Sequence, residues 1–107
     1  MANTFLRKTG NAIGTSLTTV YTVPADTTTV MIGGVLSNTG AATTYATVVT
    51  GDGTNDINLT GEDTPLPSGT ALSFIDGKIV LQTGDTIQAK STVDAVVDVH
   101  LSIMEIT

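Results

Sequence analysis

The chain has no cysteine and no tryptophan among its 107 residues, and two tyrosines and two phenylalanines are its only aromatic side chains. Without cysteine there is no disulfide, no thiolate metal site and no thiol nucleophile. The sequence gives no sign of an oxidising compartment, so we expect synthesis in a reducing cytosol. A chain of this length has room for one domain, whose folding would remove roughly 60 to 70% of the unfolded surface from water.

Positive charge is also scarce, because four basic residues face ten acidic ones and the net charge is −6. Such a chain should be repelled by a phosphate backbone, so we expect no nucleic-acid partner. No apolar run approaches the roughly 20 residues of a membrane helix. The first residues also lack the apolar segment of a signal peptide. We therefore expect a soluble protein that is made in the cytoplasm and has no membrane partner.

The residues that are abundant are threonine and aliphatic side chains. Charged residues make up 13% of the chain, about half the usual share in soluble domains, whereas threonine fills about a fifth of it. Apolar residues reach 40% and the mean hydropathy is +0.27, which is too apolar for a disordered chain. Thr, Val and Ile are branched at Cβ and therefore favour strands over helices. The composition predicts a folded β protein.

Apolar and polar residues alternate with period two along most of the chain, and no window keeps the spacing of an amphipathic helix. The clearest run places one apolar face at Val97, Val99, Leu101 and Ile103. Other runs predict core positions at Leu17, Tyr21 and Val23, at Val30, Ile32 and Leu36, and at Tyr45, Thr47 and Val49. About eight short strands separated by turns predict an all-β fold, an antiparallel β-sandwich. Jelly-roll and immunoglobulin-like strand orders both stay open.

Two glycine-containing dipeptides and the N-terminal segment predict local features of the fold. Asp76-Gly77 separates two short apolar runs by two residues, which predicts a type I′ hairpin. Gly33-Gly34 interrupts a strong strand pattern and predicts a bulge or a close backbone approach. Residues 1–15 alternate weakly and hold the only adjacent basic pair, so we interpret them as an extended N-terminal arm. Residues 16–107 would then form the single sandwich domain.

Catalytic chemistry has few candidate residues. His100 is the only imidazole, and it lies in mid-strand on the polar face with Asp98 two residues away. Catalytic groups usually lie at strand ends or on loops, so a solvent or interface position is the expected role of His100. Glu62 and Asp63 are adjacent in a segment bounded by Gly61 and Pro65, where nothing would desolvate them. We expect no enzyme activity, no catalytic residue and no cofactor.

The stretch GDGTNDINLTGED, residues 51–63, resembles a calcium-binding loop in its spacing. Counted from Asp52, positions one, five and twelve are acidic. Position six, however, is Ile57 instead of the glycine that the sharp turn needs, and position twelve is Asp63 instead of a bidentate glutamate. We therefore interpret the stretch as a polar connection around a short strand and predict no metal ligands, while calcium held between subunits stays open. Four of the ten acids lie here, which predicts a strongly negative surface.

The order of turns and strands resembles that of small virion proteins of tailed bacteriophages. The stretches that carry the resemblance are VPADTTTVMIGGVLSNTG, LPSGTALSFIDGKIVLQTGDTIQAKS and VDVHLSIMEI, within about residues 20 to 107. The resemblance implies a β-sandwich or barrel-like virion component, repeated around a symmetric particle. It does not distinguish a head position from a tail position.

These observations lead to one expected function and two alternatives. The first is a non-enzymatic capsid decoration or cement protein on the outer surface of the head, assembled in the host cytoplasm. It would bind the major capsid protein or other virion proteins and form a homo-oligomer, with a trimer as one expected state. Its expected partner-interface residues are Phe5, Leu6, Arg7 and Lys8. The alternatives are a tail, neck or baseplate component, and a receptor- or glycan-binding module, which the two tyrosines assigned to the core disfavour.

Overall fold

The computed structural model describes residues 3–75 and 77–107, in which the period-two pattern produces strands and no helix. The strands are β1 (Asn3–Ile13), β2 (Thr18–Thr22), β3 (Thr28–Asn38), β4 (Thr44–Gly51), β5 (Asp56–Asn58), β6 (Thr64–Leu66), β7 (Ala71–Ser73), β8 (Ile79–Leu81), β9 (Thr86–Ser91) and β10 (Val97–Ile106). They form two antiparallel sheets packed together, which confirms the predicted all-β sandwich.

The first sheet has the order β1-β10-β3, and β7 and β8 pair with opposite ends of β3. The second has the order β2-β9-β4, and β5 and β6 likewise pair with opposite ends of β4. Each short pair is therefore one interrupted edge strand, and each sheet has four strand positions. The first half of the chain pairs with the second half like a long hairpin wound around the core. Pro65 lies in β6, at an edge where its missing N–H breaks no ladder.

The core lies between the sheets and is built mostly of aliphatic side chains. The face predicted for β10 is confirmed, since Val97, Val99, Leu101 and Ile103 are all buried. The other buried apolar residues are Ile13, Tyr21, Val23, Met31, Leu36, Ala46, Val48, Val49, Leu66, Leu81, Ile87 and Ala89. All buried polar side-chain atoms in the described part of the chain have hydrogen-bond partners.

The predicted bulge at Gly33-Gly34 is present in β3. Ser102 pairs with Gly33 and Ile103 with Met31, so Ile32 is the extra residue. The bulge moves the inward face by one position, and Met31 is buried where the uninterrupted alternation predicted Val30 and Ile32. That part of the core prediction was wrong because a period-two count cannot cross a bulge. The Phe74 ring packs closely against Gly34, where a Cβ would lie 2.5 Å from Phe74 Cζ.

The hairpin predicted at Asp76-Gly77 is not formed by its two flanking strands. Asp76 lies outside the described residues, but β7 pairs with residues 35–37 of β3 and β8 with residues 29–31. The two strands thus follow one another along β3 in the same direction. The dipeptide favours a local turn, yet the longer ladder with β3 determines which strand each segment pairs with.

The N-terminal segment lies in the first sheet. Residues 3–10 pair in continuous register with β10, from Asn3 opposite Ile106 to Gly10 opposite Val99. An arm that extends away from the sandwich is therefore not confirmed. Weak alternation suggested the arm, because Lys8 occupies an inward-facing position where a core strand would have an apolar residue. An edge strand can satisfy half of its backbone groups on one neighbour without a fully apolar face.

Candidate interaction surface

An apolar row crosses the outer face of the first sheet. Phe5 of β1 pairs with Met104 of β10, Met104 with Val30 of β3, and Val30 with Val80 of β8. Residues directly opposite on antiparallel strands point to the same face, so the four side chains lie side by side. Phe5 is 71% exposed and Val80 is 62% exposed, whereas Met104 and Val30 between them are half-buried. We call Phe5, Met104, Val30 and Val80 the apolar row.

The apolar character continues into the neighbouring positions of the same sheet. Ile32 in the β3 bulge and Val35 beyond it are also exposed. Large apolar side chains in contiguous exposed positions are unusual on a monomer and mark surfaces that another molecule covers. Gly33 leaves the middle of this face flat, because it has no side chain between Ile32 and Val35.

The four predicted interface residues divide between the two faces of β1. Phe5 and Arg7 are exposed, opposite Met104 and Ser102. Leu6 and Lys8 point inward: Leu6 packs against the core, and the Lys8 Nζ lies 5.8 Å from the centre of the Tyr21 ring. The structure thus brings Phe5 and Arg7 to one surface and uses Leu6 and Lys8 within the fold. Contact of these residues with a partner stays a prediction.

Tyr21 of β2 links the second sheet to β3 and β10 of the first sheet. Its hydroxyl donates a hydrogen bond of 2.6 Å to Glu105 Oε2 of β10. Since that bond uses the single phenolic proton, the Thr29 hydroxyl, 2.7 Å away, donates to Tyr21. Burial, followed by the hydrogen bond to Glu105, raises the pKa of Tyr21 from 10.0 to about 12. The tyrosine therefore stays neutral and acts as a structural tie.

Tyr45 differs from Tyr21, although the sequence assigned both to the core. It lies opposite Pro65 on the second sheet and is 44% exposed. The prediction for Tyr45 was wrong because β4 is buried on both faces in its middle but open at this end, so its alternation does not report the true inward face. One tyrosine is thus available at the surface, and the exclusion of a glycan platform that assumed two buried tyrosines no longer holds.

His100 and Asp98 lie on the outer face of the first sheet, as the alternation predicted. His100 is exposed between Thr9 and Val35, in a shallow depression of the same face. The Asp98 Oδ1 accepts a hydrogen bond of 2.8 Å from the Ala12 N–H, where β1 is irregular and Ala12 has a φ of 53°. Asp98 therefore holds the end of β1 through the backbone.

The acidic segment, residues 52–63, begins with a tight turn. The Asp52 Oδ1 accepts hydrogen bonds from the N–H groups of Thr54 and Asn55, at 3.0 and 2.7 Å, and Gly53 has a φ of +88°. Those bonds, with the one from Asn55 the stronger, lower the pKa of Asp52. Its carboxylate is thus used as a turn cap, which agrees with a polar connection.

The other acids of the acidic segment differ in how they are used. Glu62 pairs with Lys90 at 3.3 Å, and its pKa is lowered by the Asn58 amide and by Lys90. Asp56 makes no side-chain hydrogen bond or ion pair with any residue in 3–75 or 77–107. The same holds for the Asp63 carboxylate, whose backbone N–H donates to Thr47. Across those same residues, no three His, Asp or Glu side chains come close enough together to hold a metal ion.

None of the described segments is a helix long and apolar enough to cross a membrane. Comparisons of this chain with family models, with curated proteins and with solved structures found no match. The resemblance to bacteriophage virion proteins therefore stays a prediction that depends on the turn and strand pattern alone.

Proposed function

We propose that this chain is a non-enzymatic structural protein of a tailed-bacteriophage virion and that it decorates the outer surface of the capsid. It would be assembled in the host cytoplasm, bind the major capsid protein and associate with further copies of itself. The proposal joins the sequence resemblance to one structural observation, the apolar row on the first sheet, whose end members Phe5 and Val80 are exposed.

The apolar row supports an assembly role because burial of its exposed side chains by a partner would be favourable. Burying a large aliphatic or phenylalanine side chain gives about 1.5 to 3 kcal/mol, and Phe5 and Val80 leave most of that unused in the isolated chain. Charged residues make up 13% of the chain, about half the usual share, so an interface on this chain buries little charge. Interface centres are depleted of charge in the same way.

The strand order supports the same role. We interpret it as a jelly roll, because the eight strand positions alternate between the sheets except at the central β4 and β5–β6 hairpin. The chain pairs β1 with β10, β2 with β9, β3 with β7 and β8, and β4 with β5 and β6. Jelly rolls are frequent in viral capsid proteins, although the same architecture serves lectins and enzymes. The strand order therefore agrees with a capsid role but is not specific to it.

The proposed mechanism is the burial of apolar and threonine-rich surface at joints between capsid subunits. Each contact made only in the assembled particle increases the work needed to separate subunits under the pressure of packaged DNA. The net charge of −6 favours the outer surface, because an acidic protein is repelled by DNA inside.

Quantitative mass spectrometry of purified virions tests the proposal. Decoration of the head predicts on the order of hundreds of copies per particle, because a capsid repeats its sites by symmetry. A few copies, or a few dozen, would contradict decoration and favour the tail, neck or baseplate alternative. Absence of the chain from virions would contradict the whole proposal.

Exposed Tyr45 favours a second candidate, a glycan- or receptor-binding module. Its ring lies beside Pro65 on the outer face of the second sheet, away from the apolar row. Aromatic rings at the surface are common platforms for sugars. Binding to a panel of bacterial surface glycans that is lost in Tyr45→Ala and kept in Phe5→Ser would support this candidate. Wild-type protein that binds none of the glycans would contradict it.

A further inference from the structure

We propose that the outer face of the first sheet binds an extended acidic segment of a neighbouring virion protein. This inference rests on the proposed structural role in a virion and deepens it, because it gives the chemistry of the partner that covers the apolar row. It depends on where the positive charges of this acidic chain lie, on the acids of the same sheet, and on the shape of the face between the cations.

Two basic residues lie at opposite edges of this face, in the line of positions next to the apolar row. Arg7 pairs with Ser102 and Ser102 with Gly33, so these residues lie side by side across β1, β10 and β3. Lys78 lies two residues before Val80, and the pairing of β8 with β3 places it at the far end of the same line. Arg7 and Lys78 are exposed, and neither forms a hydrogen bond or ion pair with any residue in 3–75 or 77–107. We call Arg7, Ser102, Gly33 and Lys78 the cationic line.

The acids in the strands of the first sheet do not neutralise the cationic line. Those strands contain two acids, Asp98 and Glu105. Glu105 faces inward and accepts the hydrogen bond from Tyr21, and Asp98 accepts the hydrogen bond from the Ala12 N–H. The chain as a whole carries a net charge of −6, so the positive charge of this face stands against the overall balance. The face is therefore complementary to a partner that carries negative charge.

The face is flat between the two cations. Gly33 has no side chain, and Ser102 beside it is small and half-buried. Exposed Ile32, the extra residue of the bulge, lies between Gly33 and Lys78, and exposed His100 follows on the side away from the apolar row. The centre of the cationic line thus leaves space for a small side chain of a partner, with apolar contacts beside it.

The separation of the two cations fits an extended segment. Arg7 and Lys78 lie three neighbouring strand spacings apart, which is about 14 Å. An extended chain advances about 3.3 Å per residue and turns every second side chain to the same side. Two carboxylates four residues apart therefore lie about 13 Å apart on one side of the segment and meet both cations at once. The residue midway between them lies above Gly33.

Two other occupants fit this face less well. A second copy packed face to face would bring Arg7 and Lys78 against the same cations of the first copy, and like charges at an interface are repulsive. Nucleic acid would be attracted by two cations but repelled by the net charge of −6. An acidic protein segment meets neither repulsion, and the test below distinguishes all three occupants.

The first part of the test compares two forms of the full chain in the same virions. The host cell supplies wild-type and variant chains in equal amounts to a phage that lacks its own copy of the gene, and mass spectrometry measures their ratio in purified particles. The neutral variant carries Arg7→Gln and Lys78→Gln, and the charge-keeping variant carries Arg7→Lys and Lys78→Arg. A control carries Thr15→Asp and Thr22→Asp, which change the net charge by the same amount at exposed residues outside the first sheet. Circular dichroism with thermal melting establishes that each variant folds.

The neutral variant should be at least about tenfold less abundant than the wild type in these virions, because two charged contacts of the interface are lost. The charge-keeping variant and the control should be incorporated like the wild type. A loss that is confined to the neutral variant therefore reports the positive charge of the cationic line, and not the size of its side chains or the net charge of the chain.

Photocrosslinking in the virion identifies the occupant. The photoreactive residue p-benzoylphenylalanine replaces Phe5, which lies beside the cationic line, or Tyr45, the exposed aromatic residue of the second sheet. The group at the Phe5 position should crosslink to a different virion protein, within a segment that has two acids four residues apart. The group at the Tyr45 position should not crosslink to that segment.

Three results would overturn the inference. The first is a neutral variant that is incorporated as well as the wild type, and the second is a Phe5 position that crosslinks to nothing, to DNA or to a second copy of this chain. The third is a crosslinked segment without acids. The failure of the decoration role is a separate outcome. Equal incorporation at on the order of hundreds of copies would refute the acidic partner and leave decoration standing, whereas loss of the neutral variant from a protein present in a few dozen copies would do the reverse. Absence of the wild type from virions would contradict both.

Discussion

Strands β1 and β10 are neighbours in one sheet, but they are stabilised in different ways. Every inward residue of β10 from Val97 to Ile103 is buried and apolar, and the strand pairs on both sides. In β1 the inward positions opposite Ile103 and Leu101 hold the partly buried Leu6 and Lys8, and only Ile13 at the end of the strand is fully buried. Among the described residues no strand pairs with the other edge of β1, and Phe5 points to solvent. Core packing therefore stabilises β10 along its length, whereas most of β1 depends on backbone pairing and leaves its largest apolar side chain exposed.

The largest expected effect is the difference in stability loss between a Leu→Ala substitution in β10 and the same substitution in β1. Leu101→Ala in β10 should lower the free energy of unfolding by about 2 to 5 kcal/mol, because it leaves a cavity in the centre of the core. Leu6→Ala in β1 should cost less than half as much, since Leu6 is only partly buried and its site can relax. Urea denaturation of both variants measures the difference. Equal losses would mean that β1 is as much a core strand as β10.

The next effect concerns β3, the other neighbour of β10. Gly34→Ala should cost about 1 to 3 kcal/mol, because the new methyl group would displace the Phe74 ring. Gly33→Ala is the matched control, since its Cβ would meet only Ser102 at 3.7 Å, an ordinary contact. Thermal melting should therefore rank Gly34→Ala well below Gly33→Ala. The reverse order would argue against the close packing of Phe74 on β3.

A smaller stability loss is expected when the Tyr21 hydroxyl, which is hydrogen-bonded to β3 and β10, is removed. Tyr21→Phe should cost about 1 kcal/mol at neutral pH, because Glu105 and Thr29 lose a buried partner. Since folding raises the pKa of Tyr21 from 10.0 to about 12, its stabilisation is complete below pH 10 and is lost as pH rises from about 10 to about 12.

Unfolding free energies measured between pH 9 and pH 12 test this tie. Stability should decline steeply across that range in the wild type and less steeply in Tyr21→Phe, which lacks the titrating hydroxyl. An equally steep decline in the wild type and Tyr21→Phe would contradict the role given to the Tyr21 hydroxyl.

The sequence predicts the parts of this fold that depend on short, uninterrupted patterns. Val97 to Ile103 alternate without interruption, so their buried face follows directly, and Asp52 with Gly53 predicts a tight turn. The bulge at Gly33 was predictable, but the shift it causes was not, and Met31 rather than Ile32 enters the core. The hairpin prediction at Asp76-Gly77 was wrong, because a turn dipeptide does not determine which strand the flanking segments pair with.

The candidate site was less predictable than the fold. The sequence predicted Phe5 and Arg7 as interface residues together with Leu6 and Lys8. It did not show that the first two face solvent and the other two face inward. The apolar row joins residues 5, 30, 80 and 104, which become neighbours only through the register of four strands. Such a surface has no local signature, because each member is a single apolar residue at an ordinary strand position.

The central claim is that Phe5 serves assembly and not the stability of the fold. The most direct test counts the copies of Phe5→Ser per purified virion by quantitative mass spectrometry, with Val93→Ser as the exposed apolar control. We predict at least about a tenfold loss of Phe5→Ser from virions, with wild-type incorporation of the control and an unfolding free energy of the isolated variant within about 0.5 kcal/mol of wild type. Wild-type copy numbers of Phe5→Ser would contradict the account.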